Sequence, residues 1–255
     1  MSHAPRIVVP GTYSTGKTTT ATALSRATGI PLVSALSARE ILTSLYPGRK
    51  FQHMSAEELL ALGLRRLEQR LRAEAELFQT GFISDGSVMN EWAYASVRAR
   101  IGLNPGASLG QQMAKALVTI PSLPFLKRYV RAYGVMARLH ARETYTDVLH
   151  LPIEFDMAPD GHRPVSERYR ILSDSELLRE FKALDLSVQI IHGSVEERVE
   201  AAIQTLRLPQ VSEVKTAVLR AREEIAQSRE SVAQKILEQD APLTLRERAA
   251  ITFRL

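Results

Sequence analysis

The residues most able to do chemistry in this 255-residue chain lie in one short run near its start. Residues 11–18, the phosphate loop below, read Gly-Thr-Tyr-Ser-Thr-Gly-Lys-Thr and fit G-x-x-x-x-G-K-[ST] without a mismatch. The glycines let successive N–H groups turn toward phosphate oxygens, and a following helix adds its positive end. The run therefore predicts a nucleoside triphosphate site. The residues assigned to the nucleotide are Gly11, Tyr13, Ser14, Thr15, Gly16, Lys17, Thr18 and Thr19.

The segments on either side of the phosphate loop are the ones that such a loop needs. Residues 6–10 form a β-branched run that ends in proline and predicts a buried strand, and residues 19–24 continue as a helix. Lys17 is expected to reach the β- and γ-phosphates, and the Thr18 hydroxyl to bind Mg²⁺. ATP with Mg²⁺ is the expected cofactor pair, although the sequence does not distinguish ATP from GTP.

A carboxylate ends the third predicted strand, which covers residues 81–85. Asp85 is then at the carboxyl end of a parallel strand, the edge at which α/β sheets bind ligands. It can act on an acceptor hydroxyl in catalysis, or hold the metal through water. As a structural alternative, Asp85 caps the helix that follows. The sequence leaves these roles open.

An arginine-rich stretch at 156–170 lies between the fourth strand and the next predicted helix, 173–182. Arg163, Arg168 and Arg170, with Pro159 and Gly161 as hinges, suit a lid that closes over phosphates and expels water. Alternatively, Arg168 and its neighbour at position 170 pair with acidic side chains on a helix surface.

Alternation of strands and helices predicts the fold. Five strands interleaved with helices indicate a parallel sheet with right-handed crossovers. We expect an α/β P-loop NTPase-type three-layer sandwich with a five-stranded parallel sheet, a helical insertion and a C-terminal helical extension. The predicted ranges are 1–208 for the main domain, 92–143 for its insertion and 209–255 for the extension. The predicted strands are 6–10, 31–34, 81–85, 147–151 and 187–192.

Positive charge is concentrated in one segment. Between Trp92 and Arg142 there are eight Lys or Arg and no Asp or Glu, whereas the whole chain carries only +5. Such a segment suits a phosphorylated small molecule, nucleic acid or an acidic membrane, or it is a solvated helix face. Its aromatic residues Phe125, Tyr129 and Tyr133 are interpreted as core rather than as ligand stackers.

The composition excludes several classes of site and protein. Without cysteine there is no thiol nucleophile and no Cys-ligated zinc or iron–sulfur cluster. No apolar run reaches the roughly 18–20 residues of a membrane span, and the N-terminus lacks the apolar core of a signal peptide. A cytoplasmic location is expected.

Motifs of other nucleotide-binding proteins are missing from the sequence. It has neither an Asn-Lys-x-Asp motif for guanine nor Leu-Ser-Gly-Gly-Gln of transporter ATPases. Gly86, rather than the glutamate that mechanical ATPases use to activate water, follows Asp85. The remaining pattern is that of a small-molecule kinase, a phosphotransferase with an alcohol group as acceptor.

Several motifs in order give the chain a family resemblance over about residues 6–207. They are the phosphate loop, Ser37-Ala38-Arg39-Glu40, Asp85, Asp160-Gly161-His162-Arg163 and Gly193-Ser194-Val195-Glu196-Glu197-Arg198. Together they resemble the AAA-type P-loop family typified by nicotinamide-riboside kinase domains, and more distantly deoxynucleoside kinases. The resemblance implies that Arg39 and Glu40 face the acceptor, that Arg163 and Arg168 face the phosphates, and that the Gly193 loop faces adenine.

The leading hypothesis is an ATP-dependent kinase acting on a hydroxyl of a nucleoside-like or other polyol metabolite, one that could be anionic. A nucleotide-sensing accessory NTPase is the alternative, acting through a protein partner or an anionic surface. It would use the amphipathic stripe from Val211 to Ile236. Nucleic acid is not favoured as a partner, and a homodimer is left open.

Overall fold

The computed structural model describes residues 4–34, 36, 38–47, 54, 56–101, 123–156 and 166–239. The strands are β1 (Arg6–Val9), β2 (Leu32–Val33), β3 (Phe82–Asp85), β4 (Asp147–His150) and β5 (Ser187–Ile190). The helices are α1 (Lys17–Thr28), α2 (Ala38–Leu45), α3 (Ala56–Glu76), α4 (Val88–Ile101), α5 (Leu123–Thr144), α6 (Glu167–Ala183), α7 (Val195–Leu206) and α8 (Val214–Gln239).

The five strands form one sheet in the order β2-β3-β1-β4-β5, and every pair of neighbours is parallel. Ile7, Val8 and Val9 of the central strand are fully buried, as expected for a strand covered by helices on both faces. The predicted α/β fold with a five-stranded parallel sheet is confirmed. The loop after β1 therefore lies at the centre of the sheet's carboxyl edge.

Helix α1 is buried between the sheet and α8. Its inward positions, among them Ala23 and Leu24, are fully buried, and Gly29 ends the helix in a left-handed conformation. Val214 and Val218 of α8 belong to the same core cluster, whereas Val211 is exposed. Val214 and Val218 of the C-terminal stripe are thus core of their own domain. The division of the chain at residue 209 stays a prediction.

Helices α4, α5 and α6 cover the other face of the sheet. Trp92 of α4 donates its indole N–H to the Val130 carbonyl of α5 at 2.9 Å. A Cβ on Gly134 would lie 2.6 Å from that indole nitrogen, so glycine permits the close approach of the two helices. Of the aromatic residues interpreted as core, Tyr133 is buried and Tyr129 half-buried.

One predicted core side chain of α5 is instead on the surface. Phe125 is 64% exposed, so the core interpretation of the aromatic residues is wrong for Phe125. Met136 of the same helix is also exposed. The helix is amphipathic, and both residues lie on its outward face.

Helix α6 begins earlier than the sequence predicts, at Glu167 instead of residue 173. Ser166 is its N-cap, and the Ser166 side chain accepts a hydrogen bond from the Tyr169 amide. The predicted lid stretch 156–170 is therefore helical from 167 onward. The capping-box signal is incomplete here, because Tyr169 rather than a glutamate or glutamine stands three residues after the cap.

Part of the basic segment is neutralised by α6. Arg100 lies 2.6 Å from Glu176, and Arg138 lies 2.6 Å from Glu180. Partial burial disfavours the charged form of Glu180. The hydrogen bonds and charges of Arg138 and Arg179 outweigh this effect and lower the pKa of Glu180. These pairs reduce the charge that the segment offers to an external anion. Within the described residues no helix is long and apolar enough to span a membrane.

Candidate functional site

The phosphate loop follows a path that requires glycine at two points. Gly16 has a φ of 84°, in the left-handed region that glycine adopts without a steric penalty. A Cβ on Gly11 would lie 2.7 Å from the Leu151 carbonyl oxygen, just after β4. Ser14 is also left-handed, with a φ of 57°. Both glycines of the motif are therefore required by the backbone path of the loop.

Protein donors bind the carbonyl oxygens of the loop. Asn90 of α4 donates its side-chain amide to the Gly11 carbonyl at 2.8 Å. The Thr12 carbonyl accepts from the Lys17 ammonium at 2.5 Å and from the Thr15 hydroxyl at 3.0 Å. The ammonium group of Lys17 thus folds back against the loop to which the motif assigns the phosphates.

Helix α1 and strand β3 bring Thr18 and Asp85 together. The β1–β3 register pairs Val9 with Asp85, which places the carboxylate beside the phosphate loop. The Thr18 hydroxyl donates to Oδ2 of Asp85 at 2.7 Å. Hydroxyl and carboxylate oxygens are ligands that Mg²⁺ prefers, and Mg²⁺ commonly takes few protein ligands beside water and phosphate. This donor set fits Mg²⁺.

The end of β3 is fixed by α3. Arg70 donates to the Ser84 hydroxyl at 2.7 Å and to the Asp85 carbonyl at 3.0 Å. The cap of α4 is Ser87, whose hydroxyl accepts from the Asn90 amide at 3.3 Å. The capping alternative for Asp85 is therefore wrong, and its carboxylate faces Thr18 instead.

An ion pair lies past the carboxyl end of β3. Arg66 is one helical turn before Arg70 on α3, and Arg70 contacts Asp85, so Arg66 lies beyond the end of the strand. Its guanidinium is 2.7 Å from Glu91 of α4. Burial opposes the charge of Arg66, but Glu91 together with Asp85 and two nearby tyrosines outweighs it, and the pKa of Arg66 is raised. The pair forms a charged wall on the β2–β3 side.

Three tyrosines join the loop to α4 and α6. The rings of Tyr13 and Tyr94 stack with centroids 4.6 Å apart, and Tyr169 lies 6.1 Å from Tyr13. Burial raises the pKa of Tyr94, whose hydroxyl donates to the Gly11 carbonyl at 3.3 Å. The stack fixes the middle of the loop against the helical layer.

A second polar cluster lies on the β4–β5 side. Glu154 follows β4 and accepts from the Gly193 amide at 3.1 Å, and its carboxylate is 2.8 Å from Nδ1 of His192. Arg198 of α7 also contacts Glu154. Partial burial disfavours the charged form of Glu154, but the hydrogen bonds from Arg198, His192 and the Gly193 amide outweigh it and lower its pKa.

The predicted site residues fall into three groups. Lys17, Thr18 and Asp85 lie together at the carboxyl edge. Arg168 is exposed on α6, and Glu40 is half-buried on α2. Arg163 and the side chain of Arg39 lie outside the described residues. Gly193 follows β5, two strands from β1 in the sheet, and lies beside Glu154.

Sequence reasoning missed several residues that contact the loop. Asn90 and Tyr94 are spaced four residues apart on α4, a spacing that could have shown a shared helix face. The sequence predicts Arg170 as a lid arginine or a surface ion-pair partner, and Arg198 only as part of the motif that begins at Gly193. Both are buried and contact the loop backbone.

A family comparison agrees with this geometry. The family model described as an AAA domain matches residues 6–198, more than half of the chain. The chain belongs to this AAA-domain family. The match extends from β1 to Arg198, so it includes the phosphate loop, Asp85 and Glu154. The resemblance seen in the sequence motifs is confirmed.

Solved structures similar to this AAA-domain protein include two kinase structures from one organism. Deoxyadenosine kinase from M. mycoides with bound dATP has a TM-score of 0.54 and 14% identity, and covers 79% of this chain and 99% of its own. The same kinase with the products dCMP and a flexible dCDP has a TM-score of 0.51 and 14% identity, with coverage of 79% and 98%.

A NadR protein in complex with NR is also similar, with a TM-score of 0.53 and 17% identity over 82% of this chain. Only 54% of the NadR chain is covered, so this protein spans about half of its length. At these identities the likenesses show a shared fold. No curated protein sequence matches significantly.

Proposed function

We propose that this protein is an ATP-dependent kinase that transfers the γ-phosphate to a hydroxyl of a nucleoside-like or other polyol metabolite. The observation that carries the proposal is the meeting of Lys17, Thr18 and Asp85 at the carboxyl edge of the sheet. A cation, a hydroxyl and a carboxylate around a phosphate loop are the groups that phosphoryl transfer requires. The kinase folds among the similar structures support the same class.

The phosphates are assigned to the loop amides and Lys17. In the transfer, the acceptor oxygen bonds to the γ-phosphorus as the bond to the bridging oxygen breaks. ADP leaves with the bonding electrons, and the proton of the acceptor hydroxyl is released to water. Lys17 stabilises the negative charge on the transferred group. Thr18 and Asp85 would hold Mg²⁺, which would neutralise part of the charge of the triphosphate when bound. The contact between Thr18 and Asp85 favours this metal role for Asp85.

The acceptor is assigned to the β2–β3 side. The ion pair of Arg66 and Glu91 lies there past the end of β3, and offers hydrogen-bond donors and acceptors next to Asp85. Arg39 and Glu40 belong to α2, which follows β2 on the same side of the sheet. An acceptor with hydroxyl or amide groups can satisfy both members of such a pair.

The nucleotide base is assigned to the β4–β5 side, next to the Gly193 loop. Arg163 and Arg168 are proposed to close over the phosphates from the segment before α6. Because α6 starts at Glu167, Arg168 would act from the first turn of a helix and only Arg163 from the preceding segment. The alternative of an accessory NTPase is not favoured, since Val214 and Val218 of the C-terminal stripe are buried in the same core cluster as α1.

A coupled assay of ADP release tests the proposal. The wild-type protein with Mg²⁺ and ATP is screened against nucleosides, pentoses and other polyols, and each positive result is checked by mass spectrometry for a phosphorylated product. We expect ADP release that depends on one acceptor class and stops on chelation of Mg²⁺. ADP release that no acceptor stimulates, from folded protein that binds ATP, would contradict the kinase assignment and support an NTPase.

A further inference from the structure

Two arginines that are almost completely buried contact the backbone of the phosphate loop. Arg170 of α6 is 1% exposed, and Arg198 of α7 is 0% exposed. They lie 157 and 183 residues away from their loop partners in sequence. Burying a guanidinium is costly unless its charge and its donors are matched, so each position calls for a reason.

Arg198 binds the loop at residue 15. Its Nη1 donates to the Thr15 carbonyl at 2.6 Å, and its Nη2 contacts the Glu154 carboxylate. A Cβ on Gly16 would lie 3.3 Å from the same Nη1. The guanidinium is therefore packed directly against the loop, with its charge matched by Glu154.

Arg170 binds the loop at residue 13. Its Nε donates to the Tyr13 carbonyl at 2.9 Å, and its Nη2 donates to the Phe155 carbonyl at 2.7 Å. Glu167, in the same helix, is 3.5 Å away and matches the charge. One planar guanidinium thus ties the loop to the segment that follows β4, next to Glu154.

The two bound carbonyls fix the direction of two amides. A peptide unit is planar and trans, so its N–H points away from its own carbonyl. A fixed Tyr13 carbonyl therefore fixes the Ser14 N–H, and a fixed Thr15 carbonyl fixes the Gly16 N–H. Ser14 and Gly16 are the two left-handed residues of the loop. Left-handed residues in a turn direct neighbouring N–H groups to the same side, where they form a concave anion site.

We propose that Arg170 and Arg198 are positioning residues that aim the Ser14 and Gly16 amides at the triphosphate, with Glu154 locking Arg198 in place. The inference rests on the proposed nucleotide binding, and it gives these arginines a role different from that of phosphate ligands. The donors of Arg170 and both Nη atoms of Arg198 are occupied by carbonyls and carboxylates, whereas Nε of Arg198 is buried without a hydrogen-bond partner among the described residues. Glu154 also ties Arg198 to the Gly193 amide, so that one carboxylate joins the phosphate and base ends of the site.

The variant Glu154→Gln distinguishes a positioning role of Arg198 from a phosphate-ligand role, because the two roles predict opposite changes in nucleotide affinity. Titration calorimetry would follow binding of a non-hydrolysable ATP analogue with Mg²⁺. Because Arg198 loses its charged partner, a positioning role predicts affinity about tenfold or more weaker. If Arg198 bound phosphate directly, removal of its competing carboxylate would leave affinity unchanged or raise it, and that result would overturn the inference. Glu196→Gln, from the exposed pair with Arg222, is the matched control and should bind like wild type.

Amide shifts in ¹⁵N-labelled protein provide the second readout. In wild type, the Ser14 and Gly16 amide protons should move downfield when the analogue binds. Arg198→Lys should reduce mainly the Gly16 shift, and Arg170→Lys mainly the Ser14 shift, because lysine cannot hold two acceptors in one plane. Wild-type shifts in both variants would contradict the proposal. Wild-type protein that binds no analogue would instead overturn the proposed function. If an arginine variant fails to fold, the Glu154→Gln measurement still tests the inference, because Glu154 is partly exposed.

Discussion

The two sides of the phosphate loop use charge in opposite ways. On the β4–β5 side, Arg170 and Arg198 bind loop carbonyls and are buried. On the β2–β3 side, the ion pair of Arg66 and Glu91 joins two side chains, and the Arg66 side chain keeps 22% of its surface exposed. The first arrangement fixes a backbone, whereas the second presents polar groups. This contrast suits a constant nucleotide on one side and an acceptor to be discriminated on the other.

Asp85 lies between the two sides, beside the phosphate loop. Substitution of Asp85 should therefore have the largest effect on phosphate transfer. Asp85→Asn removes the charge that accepts from Thr18 and, by our assignment, helps to hold the metal. Loss of one preorganised electrostatic group typically lowers kcat by about 10²–10³-fold. We expect a loss of this order in steady-state phosphate transfer, with the thermal midpoint close to wild type. A kcat within about threefold of wild type would remove Asp85 from the mechanism.

The acceptor assignment predicts a smaller and more selective effect at Glu91. Glu91→Gln leaves Arg66 without its charged partner and should raise the KM of the acceptor about tenfold, since such losses amount to about 1–3 kcal/mol. The KM of Mg·ATP should stay near wild type. A double-mutant cycle with Arg66→Met measures the coupling between the two residues. Equal changes in both KM values would show that the two sides are not divided as we propose.

Acidic pH should reduce the stability of the protein by protonating Glu154 on the β4–β5 side. Its pKa in the folded protein is lowered from the ordinary value of 4.5, so its charged form stabilises the fold above that value. This stabilisation is lost as the pH falls through the lowered pKa. The urea midpoint of wild type should therefore decrease at acidic pH more than that of Glu154→Gln. Identical pH profiles for the two proteins would show that the carboxylate contributes nothing there.

Local sequence signals predict the framework of the site but not its long-range contacts. The β-branched run of β1, the glycines of the loop and the end of β3 at Asp85 are each encoded within a few residues. The partners of the loop carbonyls depend on the sheet order, which brings α7 beside a loop 183 residues earlier. No local pattern distinguishes a buried Arg198 from a surface arginine.

The start of α6 shows a different reason for a wrong prediction. Arginines at 168 and 170 favour a phosphate-binding loop when they are read as composition alone. In the structure, Arg168 is exposed and Arg170 is buried, because successive positions on a helix face different directions. The helical period, once Ser166 is recognised as the cap, separates the two roles.

Binding of Mg·ATP at equilibrium tests the central claim most directly. Titration of the wild-type chain with labelled ATP and Mg²⁺ should show saturable uptake of one nucleotide per chain, and Lys17→Ala should weaken it strongly while the protein stays folded. Lys215→Ala, which removes an exposed lysine on α8, should bind like wild type. Absence of saturable uptake by folded wild-type protein, or equal uptake by the Lys17 variant, would contradict the account.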